Sequence, residues 1–170
     1  MVAVTETSSN TTVVHADDLP FVEIGPGIEM KLFRTGLHDA TWEAIFRFQP
    51  GTVLPTHHHT GSVHAFTISG RWGYREYDWE ADAGSYAYEE PRSVHTLEVS
   101  ADADEPAVVF FVISGAMLIF METLAETLGV ELPEGEAEGI AIQDGTTMLD
   151  MYRAACEVQG KPAPDAVIVN

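Results

Sequence analysis

Histidine is the residue best able to do chemistry in this chain, and its seven copies are unevenly placed: His15, His38, His57, His58, His59, His64 and His95. Five of them fall between positions 57 and 95. In an extended strand, side chains two residues apart share a face, so His57 and His59 can reach one ion while His58 points the other way. His64 and His95 can add imidazoles from neighbouring strands. Imidazole suits zinc, iron, copper and nickel alike, so the cluster marks a metal site without choosing the metal. A lone histidine is ordinarily a surface or hydrogen-bonded core residue, which is the reading for His15, His38 and His58.

Holding these rings together falls to short strands. Candidates are Phe21–Ile24, Met30–Phe33, Trp42–Phe48, His64–Ser69, Trp72–Trp79, Ser85–Tyr88, Thr96–Ser100, Val108–Ile113 and Met117–Phe120. Turn signals separate them, among them Gly25-Pro26-Gly27, Pro50-Gly51, Ser69-Gly70, Glu80–Gly84 and Ala101–Pro106. Many short strands rich in aromatic and β-branched residues predict an all-β sandwich or barrel. No helices alternate with them, which argues against a doubly wound α/β fold. The expected organisation is a loose N-terminal arm over residues 1–18, a β-barrel over 19–121, and an acidic loop with a C-terminal helix over 122–170. Asp144-Gly145-Thr146 forms a cap for that helix; Leu149, Tyr152, Ala155 and Cys156 supply its apolar face, and Gly160 stops it.

Composition bounds the partners. A chain of 170 residues favours one domain, and 45% apolar residues can build its core. Eight basic against 27 acidic residues give a net charge of −19. Nucleic acid and anionic lipid are bound through Lys and Arg, so both are poor partners for such a surface. Cys156 is the only cysteine, which excludes an intramolecular disulfide and suits a reducing compartment. No apolar leader opens the sequence, and its longest mainly apolar run, Ala107 to Met121, is too short to span a bilayer. A cytoplasmic protein is expected.

Two stretches then carry a resemblance. Gly51-x5-His57-x-His59-x4-His64-x5-Gly70 resembles the first motif of the cupin superfamily, and Gly84-x6-Pro91-x3-His95 resembles the second. The family usually has Glu where His64 stands, Gly where Ser93 stands, and a downstream Asn where this chain has Val99. The segment Pro55 to Gly70, with Trp72-x-Tyr74-x-Glu76-x-Asp78-Trp79 and Ala83 to Leu97, is similar to the 2,4'-dihydroxyacetophenone dioxygenase family and to the acetylacetone-cleaving cupins. The resemblance implies a small antiparallel, jelly-roll barrel with His57, His59 and His95 as ligands of Fe(II), the metal those families use. It also implies a small ketone substrate, O2 as co-substrate, and a homodimer or higher oligomer.

By the same resemblance Glu89, six residues before His95, is a proton-transfer group beside the metal. His64 is expected near the metal, because it occupies the place of the family's inward glutamate. Three neutral imidazoles leave a divalent ion its full charge, which favours an anionic, chelating enolate as substrate. Trp72, Tyr74, Tyr77, Trp79, Tyr86 and Tyr88 are candidate pocket walls, although strands favour such residues anyway. Arg71 and Arg75 are expected in solvent. Two alternatives stand beside the dioxygenase: a non-redox enzyme using Zn(II) or Ni(II) as a Lewis acid, and a metal-binding sensor module like the cupin half of some anti-sigma regulators. The sensor needs a longer partner-binding segment than residues 1–20 offer.

Overall fold

Every second side chain of Thr41–Phe48 is buried, namely Trp42, Ala44, Phe46 and Phe48, and the same alternation recurs at Ala107, Val109, Phe111 and Ile113. Such period-two burial gives a strand with one face in a core. A computed structural model describes residues 6–8, 11–133, 136, 138–162, 165 and 167–170. Its elements, in chain order, begin with β1 (Glu6–Ser8), β2 (Thr11–Val13), a 3-10 turn at Ala16–Asp18, β3 (Val22–Gly25), β4 (Ile28–Thr35) and β5 (Thr41–Phe48). The central strands follow: β6 (Val53–His59), β7 (Val63–Ser69), β8 (Arg71–Tyr74), β9 (Glu80–Asp82), β10 (Tyr86–Glu89) and β11 (Val94–Glu98). Last come β12 (Ala107–Ser114), β13 (Met117–Phe120), α1 (Met121–Leu128), β14 (Ile140–Gln143), α2 (Gly145–Val158) and β15 (Ile168–Val169).

Two sheets make the barrel. One runs β10-β7-β12-β5-β4-β15, with β3 also paired to β4; the other runs β14-β13-β6-β11-β8-β9. All pairings are antiparallel except β15 with β4. Their inner faces meet in one apolar cluster, where Trp72 of the second sheet lies 6.1 Å, centroid to centroid, from Phe111 of the first. Gly70 closes the β7–β8 turn at φ 71°, where a Cβ would come within 2.3 Å of the Pro106 carbonyl oxygen. Only glycine tolerates both that backbone and that approach. Among the described residues no helix is long and apolar enough to cross a membrane.

The all-β expectation stands, and so does the C-terminal helix. Asp144 accepts from the Thr147 amide at 2.8 Å while Thr147 Oγ1 accepts from the Asp144 amide at 2.7 Å, a reciprocal capping box. Leu149, Tyr152 and Cys156 are buried, and the Tyr152 hydroxyl donates to the Pro20 carbonyl at 2.7 Å. Five expectations need correction. The segment expected as one strand over Trp72–Trp79 breaks after Tyr74, where the Tyr77 amide bonds back to the Tyr74 carbonyl, and Glu80–Asp82, expected as a turn, is β9. Of β6 only His57–His59 is expected to be extended, since Pro55 interrupts the pattern before it. Residues within the loose arm form the β1–β2 pair. The acidic segment after Glu122 begins with α1 and later holds β14.

Candidate metal centre

β6 and β11 build the site by register. His57 stands directly opposite His95 across the two strands, and His59 lies two residues further along the same buried face. The alignment slips by one residue between His95 and Leu97, where Pro55 and Thr56 of β6 stand against Thr96 alone, so β6 carries the bulge, while β11 buries three consecutive side chains, His95, Thr96 and Leu97. Pro55 is one of the two bulge residues, where no ladder N–H is required. The β10–β11 turn is tied to β6: the Arg92 amide donates to the His59 carbonyl at 2.8 Å, and the His59 amide donates to Ser93 at 3.1 Å.

The three rings converge. Their centroids are 4.9 Å apart for His57–His59, 4.9 Å for His57–His95 and 5.3 Å for His59–His95. One ligand atom from each lies within 4.8 Å of the others. His57 Nδ1–H donates to the Pro55 carbonyl at 2.8 Å, which fixes its tautomer and leaves the Nε2 lone pair free. Burial, with the neighbouring His59, drives the His57 pKa down to about 3, and burial drives His59 to about 4. Both are therefore neutral bases at physiological pH. His59 Nδ1, His95 Nε2 and Glu89 Oε2 are buried without a hydrogen-bond partner, a costly arrangement that a bound cation would relieve. The residues fit a divalent metal.

Glu89 completes the centre. It is 6% exposed, and its Oε2 lies 3.2 Å from Nε2 of both His59 and His95. Tyr74 donates its hydroxyl to Oε1 of the same carboxylate and stacks on the His95 ring at 3.7 Å. Burial alone would raise the carboxyl pKa, but the close imidazole nitrogens of His95 and His59 and the Tyr74 hydroxyl hold it below the usual value. Glu89 is thus a carboxylate at neutral pH, with one oxygen oriented by Tyr74 and the other against the imidazoles.

Not every candidate converges. His64 is exposed on the outer face of β7, with Nδ1 2.6 Å from the Tyr86 hydroxyl, and it does not approach the three rings. Val63, Ala65 and Thr67 take the inward positions of that strand, so the alternation that buries them turns His64 outward. His58 lies on the face of β6 opposite His57 and His59, as expected. Of the six aromatic candidates only Tyr74 borders the inner cavity; Tyr77, Trp79, Tyr86 and Tyr88 are exposed and Trp72 is core. Arg71 and Arg75 are exposed and paired with Glu80 and Glu98.

His57, His59 and Tyr74 border an inner cavity of about 260 Å³, whose other walls include Trp42, Phe46 and Phe111. Glu89 and His95 border a second hollow of about 460 Å³, edged by Tyr77 and Trp79. The imidazoles therefore stand between two spaces. The Tyr74 role was missed in the sequence; its position two residues after Trp72 on the buried face of β8 was the available signal.

Three converging buried histidines, His57 and His59 on one strand and His95 on its neighbour, inside a two-sheet barrel, define the class. The chain belongs to the ChrR cupin-like domain family, whose model matches residues 9–118. No curated protein matches it significantly. Among solved structures it is similar to an RmlC-like cupin from Ralstonia eutropha JMP134, at 26% identity and TM-score 0.75, covering 93% of this chain and 94% of that one. A protein of unknown function with a cupin-like fold from the same organism matches at 25% identity and TM-score 0.75, covering 93% of each chain. An acetylacetone dioxygenase from Acinetobacter johnsonii shares the fold at 18% identity and TM-score 0.65, over 89% of this chain and 96% of that one.

Proposed function

We propose that the protein is a non-haem Fe(II) dioxygenase that cleaves a carbon–carbon bond of an enolisable, hydroxyacetophenone-like ketone to carboxylic acids. The observation that carries this reading is the Glu89 carboxylate, buried, unprotonated and 3.2 Å from two of three converging imidazoles. Simple metal storage has no need of a base there. His57, His59 and His95 hold the metal, which when bound supplies the positive charge that favours an enolate and the electrons that activate dioxygen. Glu89 takes the proton from the carbon beside the substrate carbonyl, and Tyr74 keeps the carboxylate aimed at it. The hollow that Glu89 and His95 border, edged by Tyr77 and Trp79, seats the reacting end of the ketone. One O2 is consumed per bond cleaved, and its two oxygen atoms end in the two acids.

The same reading includes a homodimer and a reducing, cytoplasmic setting that keeps Cys156 and ferrous iron reduced. Phe66, Ile68, Tyr86 and Tyr88 expose 47%, 47%, 61% and 53% of their surface on the outer face of β7 and the edge strand β10. A second copy covering that apolar edge is the assembly it favours.

The test is metal analysis of protein purified without added metal, followed by oxygen uptake with a panel of aryl ketones after loading with Fe(II) or Zn(II). Stoichiometric uptake with the iron form alone is expected. Tight zinc, with ketone turnover but no oxygen uptake, would replace this reading by a Lewis-acid enzyme; zinc with no turnover at all would leave a binding module.

A further inference from the structure

The second hollow differs from the inner cavity in holding a cation. Arg92 is the one Lys or Arg among the residues that line it, in company with Glu89, Glu90 and His95. Arg34, Arg47, Arg71 and Arg75 are each paired with a carboxylate. Among the described residues Arg92 has no such partner, and it is exposed. Glu89, by contrast, is engaged by Tyr74 and faces the imidazoles. In a chain with 27 acidic and 8 basic residues, an arginine kept clear of carboxylates at the rim of a site needs a reason.

The backbone shows what holds it there. The Ser93 amide donates to the Glu90 carbonyl at 3.1 Å, which closes a four-residue turn with Pro91 second and Arg92 third. Arg92 has a φ of 75°, in the left-handed region. A turn with Pro second and a positive φ third ordinarily carries Gly or Asn at that third place. An arginine there is strained, and such strain persists only where the surroundings enforce it, above all at ligand-binding sites. Here the Arg92 amide donates to the His59 carbonyl at 2.8 Å, so the strained residue is fixed beside the strand that carries two of the imidazoles. The opposite character comes from Tyr77 and Trp79. Their exposed rings stack at 5.9 Å between centroids and 11° between planes, giving an aromatic edge for a flat molecule.

We infer that Arg92 is a specificity-determining residue that binds a carboxylate on the substrate, at the end away from the reacting carbonyl. A guanidinium presents paired N–H donors that match the two oxygens of a carboxylate. The inference deepens the proposed function, because the carboxylate end is defined relative to a ketone whose reacting end lies at Glu89 and His95. The substrate class becomes a monoanionic aryl ketone, one that carries a carboxylate as well as its enolisable carbonyl. Against a net charge of −19, Arg92 supplies the local counter-charge that such an anion needs.

The experiment is calorimetric binding of 4-acetylbenzoate and its uncharged amide, 4-acetylbenzamide, to the zinc-loaded protein, in wild type, R92Q and R92G. Zinc supports no oxygen chemistry, so the readout is independent of turnover. Wild type is expected to bind the carboxylate about 10- to 100-fold more tightly than the amide, the usual worth of a charge-assisted hydrogen bond. Both variants are expected to lose most of that preference. R92G carries a second signature: glycine adopts a positive φ without strain, so its melting midpoint should not fall below that of wild type. An unchanged preference in either variant, or none in wild type, overturns the assignment. Oxygen uptake by the iron form with neutral aryl ketones, but no preference for the carboxylate, would remove the role of Arg92 and leave the dioxygenase reading. Intact preference without oxygen uptake would remove the dioxygenase reading and leave the carboxylate site standing.

Discussion

At the scale of the residue, burial does the preparatory chemistry. Desolvation takes the proton off His57 and His59 well before neutral pH, with pKa values of about 3 and about 4, so a metal meets free lone pairs rather than competing with protons. Replacing His57, His59 or His95 by Ala is therefore expected to lower metal affinity by more than the ~10–100-fold typical of groups that only orient a ligand. His58→Ala should leave metal content unchanged, and metal analysis after dialysis checks both. Full occupancy in the three ligand variants would dissolve the site, and loss in His58→Ala would mean a different strand register. The shared face of His57 and His59 was legible because period-two spacing is a backbone property, and His95 joined them through the motif resemblance. His64 was not: the motif suggested an inward side chain, whereas the buried row Val63, Ala65 and Thr67 decides the direction. The Tyr74–Glu89 link was equally hidden, because a hydrogen bond between β8 and β10 leaves no local trace in either segment.

Elements place these side chains, and their ends carry much of the information. Asp144, Gly145 and Thr147 start α2 on the page of the sequence itself, since a capping box is local. Gly145 does a second job: a Cβ there would approach Thr35 Oγ1 to 2.3 Å, and Thr35 is fully buried. Gly145→Ala should cost about 1–3 kcal/mol, the range for overpacking a tight interior. Thermal denaturation measures it as a lowered midpoint; an unchanged or raised midpoint would show that α2 does not dock so closely on β4. β6 shows the opposite case. Its inward residues Pro55, His57 and His59 are neither aliphatic nor β-branched, so the strand that carries the chemistry is the one whose hydrophobic pattern is erased. α1 was missed for a smaller reason. Met121, Leu124, Ala125 and Leu128 have helical spacing, but Phe120 offers no capping side chain and the surrounding acids resemble a loop.

For the whole molecule, charge and apolar surface compete. A net charge of −19 pushes copies apart, while the exposed Phe66, Ile68, Tyr86 and Tyr88 on the β7–β10 edge favour contact. The homodimer reading predicts a mass near twice 18.5 kDa by light scattering, with association tightening as salt screens the acidic faces. A monomeric mass across a wide concentration range would reject it. Barrel class was readable from composition and turn spacing, because many short strands leave few alternatives. Which strands share a sheet was not, since the pairing of β6 with β11 and β13 joins segments far apart in the chain.

Glu89 separates an enzyme from a metal-binding barrel. Steady-state oxygen uptake should be compared for wild type and Glu89→Gln at equal iron occupancy, with a hydroxyacetophenone as substrate. If Glu89 accepts the substrate proton, the variant keeps its fold and metal but turns over roughly 10²–10⁴-fold more slowly, the usual worth of a general base. Equal turnover in the two proteins would contradict the account.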